Sequence, residues 1–410
     1  MPKVKSMLHI VGGTYYEYCA EPERRDLLGS GLRAAAAVSK LTQVKLHTFA
    51  DGPSEKAIAA NATAFQVPLS ITSRNQCIRF EYSHPLATPI VVPSFGEIQR
   101  AKTIELVGDL VLCFGMLEGS AKVKAKRAVY DPQSPFNPRP FAESGSTAES
   151  LALVLNGREA VLLAGEKSGL IERAVKRLFK DSGASVIVVK RGTQGASVFT
   201  RSAMTVVPAY RTQHVWKLGS GDVFAGAFAY FWAVRGIDPR TAAKHASAAA
   251  ATYCESHALP LGANFHQKIP ASLTPLVPRA RKTAPLVYLA GPFFTMAQRW
   301  LINEARRSLV QQGLRVFSPM HDVGYGSANE VAPADLKALR KSDAVFAITD
   351  GLDAGTIFEV GYANAKNIPI VAFVQNEPPG DLKMLEGSGC HICDDFTTAV
   401  YHTIWATMSS

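Results

Sequence analysis

The sequence predicts an α/β chain of two parallel-sheet domains, and three observations carry that expectation. Apolar runs of strand length alternate with stretches of helical spacing along most of the 410 residues, as in parallel sheets covered by helices. That length exceeds the ~100–200 residues of a typical single domain. Between Phe265 and Pro285 the chain carries Pro270, Pro275, Pro278 and Pro285 with Arg279, Arg281 and Lys282 and little periodicity, the composition of a semi-rigid, extended linker. Domains are therefore expected at residues 1–268 and 286–410, joined by a Pro/Arg-rich linker at 269–285.

The elements of the second domain follow in order. Leu286 to Ala290 reads as a buried strand running into a Gly291-Pro292 turn and then Phe293-Phe294. Gln298 to Gln312 has helical spacing (Trp300, Leu301, Ala305, Leu309) and stops at Gly313. Leu314–Pro319 is a second strand, Asp335–Arg340 a short helix, Asp343–Ile348 a third strand and Ile368–Phe373 a fourth. After the third strand, Thr349-Asp-Gly-Leu-Asp353-Ala-Gly-Thr-Ile-Phe-Glu359-Val-Gly-Tyr-Ala363 sets two carboxylates six residues apart across a Gly-containing turn that opens a helix. Carboxylates outside the carboxyl ends of strands sit where open α/β sheets bind ligands, and a pair there can divide nucleophile and proton-donor roles. The same spacing also suits an Asp capping the turn and a Glu complementing the helix dipole. Tyr288 reads equally as a core aromatic, and Phe293 and Phe294 as core packing or a stacking wall.

Three pieces occurring in order, Tyr288-Leu-Ala-Gly291-Pro-Phe293-Phe294, Pro333-Ala-Asp335-Leu with Ser342-Asp-Ala-Val345, and Asp353-x-Gly-Thr-x-x-Glu359-x-Gly-Tyr-Ala363, make residues 285–400 resemble the nucleoside 2-deoxyribosyltransferase family. The resemblance implies a flavodoxin/Rossmann-like parallel-sheet domain with no cofactor. It implies Glu359 as the nucleophile that attacks C1′ and Tyr288 as the residue orienting it. Asp335 and Asp353 would contact the base, one of them protonating the leaving nitrogen, with Gly291, Phe293 and Phe294 on the substrate side. The chemistry agrees: N-glycosidic cleavage passes through a cation-like sugar that a carboxylate stabilises, and the departing base needs an acid. Family members often use an Asn from a neighbouring subunit near the chain's end to bind the 5′ hydroxyl. Here Gly380-Asp-Leu-Lys383-Met-Leu385 lacks it. Lys383 either favours a 5′-phosphate or is simply solvated.

In the first domain, Lys217-Leu-Gly219-Ser220-Gly221-Asp222 opens onto an Ala-rich apolar stretch of helical spacing. A small-residue turn at a helix start presents free N–H groups to a phosphoryl oxyanion, and an adjacent Asp can take a proton from an attacking hydroxyl. Asn156-Gly-Arg-Glu159, the strand–turn–strand of Val186 to Val198 with Gly192 and Gly195, the strand end at Asp131-Pro132, and His245 with the Ala run behind it come in the order of ribokinase-like (PfkB) carbohydrate and nucleoside kinases. The resemblance spans about residues 5–265 and implies a three-layer α/β/α domain using ATP and Mg²⁺. Asp222 would be the general base and Gly219, Ser220 and Gly221 the anion hole. Asn156 and Glu159 would serve the Mg²⁺–phosphate network, Glu159 indirectly, while Gly192 and Gly195 would line the ATP site. The departures lie on the acceptor side. Trp216-Lys217 replaces the usual Asp-Thr, no Asp precedes Glu17 in the early strand, and Gly29-Ser-Gly31-Leu-Arg33-Ala lacks the family's Asn. The domain is therefore expected either to phosphorylate an unusual nucleoside or sugar or to bind a nucleotide as a sensor without turnover.

Composition narrows the setting. No run reaches the ~18–20 apolar residues of a membrane span, and Met-Pro-Lys-Val-Lys-Ser6 lacks a signal peptide's apolar core. Six scattered cysteines suit a reducing cytoplasm, and the single Cys390-His-Ile-Cys393 is expected to be a turn with two free thiols. A net charge of +10 suits attraction of anionic nucleotides. Lys122, Lys124, Lys126, Arg127, Arg173, Lys176, Arg177 and Lys180 are not interleaved with aromatics, so nucleic acid is not an expected partner. Small-molecule nucleosides or nucleotides are, and a homo-oligomer is expected. The fusion itself suggests that one domain's product is the other's substrate.

Overall fold

The computed structural model describes residues 7–134, 137–267, 269–276, 281 and 283–409. Two compact units emerge, residues 1–275 and 276–410. Pro278, Arg279 and Lys282 of the expected linker lie outside the described residues. Of the remainder, Thr274–Leu276 is a strand. Arg281 is pinned within the second unit by an ion pair to Asp343 (2.5 Å) and a hydrogen bond to the Thr407 carbonyl (2.8 Å).

The first unit is built on a nine-stranded sheet in the order Met204–Val207, Ala196–Thr200, Val186–Lys190, Thr147–Asn156, Ala121–Asp131, Ile104–Phe114, Leu8–Val11, Val44–Ala50, Leu69–Ser73. The first two pairings are antiparallel and the rest parallel. Alternate residues of a strand face opposite layers. Val186 and Val188 join one apolar core with the helices Gly29–Val38, Ser220–Phe228 and Pro239–Ser256, whereas Ile187 and Val189 join a second with Gly157–Leu163 and Ile171–Ser182. This is the expected three-layer α/β/α arrangement. A separate four-stranded sheet, Arg24–Leu27, Tyr16–Cys19, Arg79–Tyr82 and Ile90–Val92, completes the unit. The Gly29–Val38 helix packs directly on the turn after the first strand: a Cβ at Gly31 would lie 2.6 Å from the Gly12 carbonyl oxygen.

The second unit has an all-parallel five-stranded sheet, ordered Arg315–Phe317, Leu286–Ala290, Ala344–Ile348, Ile370–Phe373, His391–Cys393. Counted along this unit the order is 2-1-3-4-5, the flavodoxin-like winding whose ligand site falls between strands 1 and 3. The helix expected at Asp335–Arg340 is longer, Ala328–Leu339, because a Ser327–Glu330 capping box starts it upstream. Cys390-His-Ile-Cys393 is not a turn. His391–Cys393 pairs with Val371–Phe373 as the fifth strand, leaving both thiols free and buried. After the Ala121–Asp131 strand a 3₁₀ turn forms at Phe141–Ser144 and the next strand starts at Thr147. No helix among the described residues is long and apolar enough to cross a membrane.

Candidate active sites

In the second unit the winding brings Tyr288, on the first strand, against the helix that follows the third. The Tyr288 hydroxyl donates to Glu359 Oε1 at 2.5 Å, and Tyr288 is fully buried. Glu359 lies in Ala354–Ala365 beyond its first turn, where the dipole's influence has faded, so helix-end complementation does not account for it. Asp353 does cap that helix, its Oδ2 accepting from both Thr356 N and Thr356 Oγ1 at 2.9 Å. Asp335, 7% exposed, leaves Oδ1 without a hydrogen-bond partner.

Burial raises two of these carboxylates. Burial pushes Glu359 up to about 7; Asp335 and Asp353 add to this, and the Tyr288 hydrogen bond opposes it. Burial alone pushes Asp335 up to about 6. Tyr288 is held protonated by burial and by the Glu359 charge. The site thus couples one carboxylate steadied by a phenol to a second, Asp335, that titrates about one unit lower and has one oxygen without a hydrogen-bond partner.

The Phe293–Phe294 segment is not core. Phe294 is 65% exposed and Tyr325 is 78% exposed, with Phe293 stacked on Phe294 (5.8 Å) and edge-on to Tyr325 (6.0 Å). Arg299 ties the segment together, donating to the Phe293 carbonyl (2.9 Å) and the Tyr325 hydroxyl (2.8 Å). Sequence reasoning passed over Arg299 and Tyr325; the Gly324-Tyr-Gly326 turn was the available signal. A Cβ added at Gly291 would fall 2.9 Å from Ile302 and 3.0 Å from Ile348, well inside van der Waals contact, so packing by itself favours glycine there. Lys383 begins the short helix Lys383–Gly387, exposed and without an ion pair among the described residues.

In the first unit, Gly219 caps the Ser220–Phe228 helix in a left-handed conformation (φ 76°). Lysines flank this helix start. Lys217 Nζ donates to Ser220 Oγ at 2.9 Å, and a Cβ on Gly221 would lie 3.5 Å from Lys190 Nζ. Lys190 is also paired with buried Asp131 at 2.5 Å. Burial pushes Asp131 up to about 7 against the pull of Lys190, and burial lowers Lys217. Positive charge at a helix N-terminus suits an anion such as phosphate. Gly192 (φ 54°) and Gly195 (φ 82°) form the tight turn between Val186–Lys190 and Ala196–Thr200.

Asn156 and Glu159 meet each other in a capping box, Glu159 N to Asn156 Oδ1 at 2.9 Å and Asn156 N to Glu159 Oε2 at 2.8 Å. Asp222 is likewise occupied: Oδ2 accepts from Arg33 (2.9 Å) and Oδ1 from Gln133 (2.5 Å). Asp131, Glu159 and Asp222 therefore all have protein partners, and no cluster of three or more His, Cys, Asp or Glu groups suited to a metal occurs among the described residues. This donor set does not fit a directly coordinated Mg²⁺.

By fold, the chain is a pair of α/β units, each with charged groups gathered beyond the strand ends of its sheet. Comparison with known proteins makes this particular. Residues 115–261 match the pfkB family carbohydrate kinase model, and residues 287–393 match that of nucleoside 2-deoxyribosyltransferase. The 5-dehydro-2-deoxygluconokinase of Bacillus subtilis is 30% identical over 149 residues, 33% of this chain and 45% of that protein. The deoxyribokinase of Salmonella typhi is 39% identical over 64 residues, 16% of this chain and 21% of that protein. The chain thus spans less than half the length of these curated relatives. Among solved structures, fructokinase from Vibrio cholerae O395, in its fructose-, ADP- and calcium-bound form, superposes with a TM-score of 0.48 at 16% identity, over 65% of this chain and 99% of that one. A pyrophosphate-dependent kinase of the ribokinase family gives 0.47 at 15% identity, over 64% and 99%.

Proposed function

We propose that the second unit cleaves the N-glycosidic bond of a nucleoside or its 5′-monophosphate by double displacement. The observation that carries this is the Tyr288–Glu359 hydrogen bond at the switch point of the sheet. Glu359, ionised and steadied by Tyr288, attacks C1′ as the bond to the base breaks. The proton of Asp335 goes to the leaving nitrogen, and water or a second base then releases the sugar from Glu359. Asp335 suits the acid role better than Asp353, because one oxygen of Asp353 is already spent on the helix cap. The half-buried Phe293 with the exposed Phe294 and Tyr325 offers the base a stacking wall. The test is chromatographic: incubate the protein with nucleosides and their 5′-monophosphates and score free base. Base release that vanishes in Glu359→Gln supports the mechanism; no release from any substrate overturns it.

For the first unit two readings stand. In one, it phosphorylates a nucleoside or sugar hydroxyl from ATP with Asp222 as base, and the fusion passes a product between units. In the other it binds a nucleotide at the Gly219–Gly221 helix start without turnover. The ion pair between Arg33 and Asp222 favours the second.

A further inference from the structure

On the acceptor side of the first unit, protein charges are held by protein charges. Arg33 is 1% exposed and bridges two elements distant in sequence. Its Nη1 donates to Asp222 Oδ2 at 2.9 Å and to Glu17 Oε1 at 3.3 Å, and its Nη2 donates to Glu17 Oε2. Glu17 belongs to Tyr16–Cys19 of the four-stranded sheet, whereas Asp222 lies in the first turn of the helix on the main sheet. The guanidinium lies against the helix start, so that a Cβ added to Gly219 would fall 2.1 Å from Arg33 Nε. Gln133 covers the other Asp222 oxygen at 2.5 Å. A second buried arginine, Arg74, is 3% exposed and reaches Glu118 at 2.9 Å and Asp51 at 3.2 Å.

We propose that Arg33 is a lock: it occupies the place beside Asp222 where an acceptor hydroxyl would have to stand and ties the small sheet to the main one through Glu17. A carboxylate acting as general base must present an oxygen to the proton it removes. Here both oxygens accept from protein donors, one of them the charged guanidinium. The lysine-flanked start of the Ser220–Phe228 helix remains available for a nucleoside phosphate. The first unit is then a phosphate-ligand-binding module whose base is withheld from chemistry by one side chain. This rests on the sensing interpretation above and supplies its structural cause.

The test uses the full chain and measures ATP binding by calorimetry and ATP hydrolysis by ADP release. ATP binding with only background ADP release is expected of the wild type. Arg33→Leu alone leaves Glu17 and Asp222 buried without their cation and risks misfolding. Arg33→Leu/Glu17→Gln removes two of the three charges of the tie and leaves only Asp222, and Arg33→Lys keeps the charge while breaking the two-pronged contact. Both are expected to hydrolyse ATP at least about tenfold faster than wild type, within the range of a restored general base, and adding Asp222→Asn should remove the gain. Wild-type hydrolysis lowered by Asp222→Asn overturns both the lock and the sensing interpretation. Wild-type rates in a folded Arg33→Lys or double variant overturn the lock alone, leaving binding without turnover to another cause.

Discussion

Removing the Tyr288 hydroxyl gives the most direct examination of the glycosidic site. Glu359 titrates near 7 with Tyr288 holding it down, and Asp335 near 6. A reaction that needs Glu359 ionised and Asp335 protonated therefore has its optimum midway, at about pH 6.5, where each group is about one quarter in the required form. In Tyr288→Phe the carboxylate loses a hydrogen bond to a charged group, worth about 1.5–3 kcal/mol, or roughly 1–2 pH units. The sign is upward, because the lost bond favoured the charged form. The optimum of kcat/KM should then rise by about 0.5–1 unit and its peak fall roughly 7- to 60-fold. The assay is kcat/KM for base release across pH 5–9, with a thermal melt to show that the variant folds. An optimum that stays put or moves to lower pH refutes the assignment of Glu359 as the ionised nucleophile steadied by Tyr288.

Other consequences follow from the charged clusters. His9 Nδ1 and His47 Nε2 lie 3.1 Å apart on neighbouring strands, and burial lowers both, His47 to about 4. The unfolded chain takes up protons near 6.5 while the folded one does not, so this pair's contribution to stability should be flat above that pH and fall by about 1 kcal/mol per unit for each histidine between pH 6.5 and 4. Melts of wild type and His47→Asn across that window check it, the variant showing the shallower decline. Lys190→Met should cost about 3–5 kcal/mol by stranding the buried Asp131 carboxylate, and Lys190→Met/Asp131→Asn should recover most of it in urea titrations. If Lys383 meets a 5′-phosphate, Lys383→Ala should raise KM for monophosphates by roughly two- to fivefold, as expected for an exposed charge contact. It should leave KM for nucleosides unchanged.

Much of the second unit was legible in the sequence because its signals are local. A turn rich in Gly and Asp that closes an apolar run and opens a helical one specifies a strand–loop–helix unit whatever lies around it, and Asp353 could be read as a cap from its spacing to Thr356. Short elements escaped. His391–Cys393 is a three-residue strand at the sheet's edge, too brief to show a period, so the cysteine spacing suggested a turn instead. The start of Ala328–Leu339 was hidden by Pro333, which reads as a helix boundary yet lies inside the helix.

By itself the sequence determined the division into two α/β halves and the candidate carboxylates Glu359 and Asp222. Apolar periodicity and helix-start chemistry act over a few residues and are written there. Only the tertiary structure decided what those carboxylates touch. Tyr288 and Glu359 are 71 positions apart, and Arg33 and Asp222 are 189 apart. No local pattern encodes such pairings; strand order and helix packing create them. The same packing sets the burial that shifts Glu359 and Asp335, and it turns an arginine in an alanine-rich helix toward the one aspartate expected to act as base.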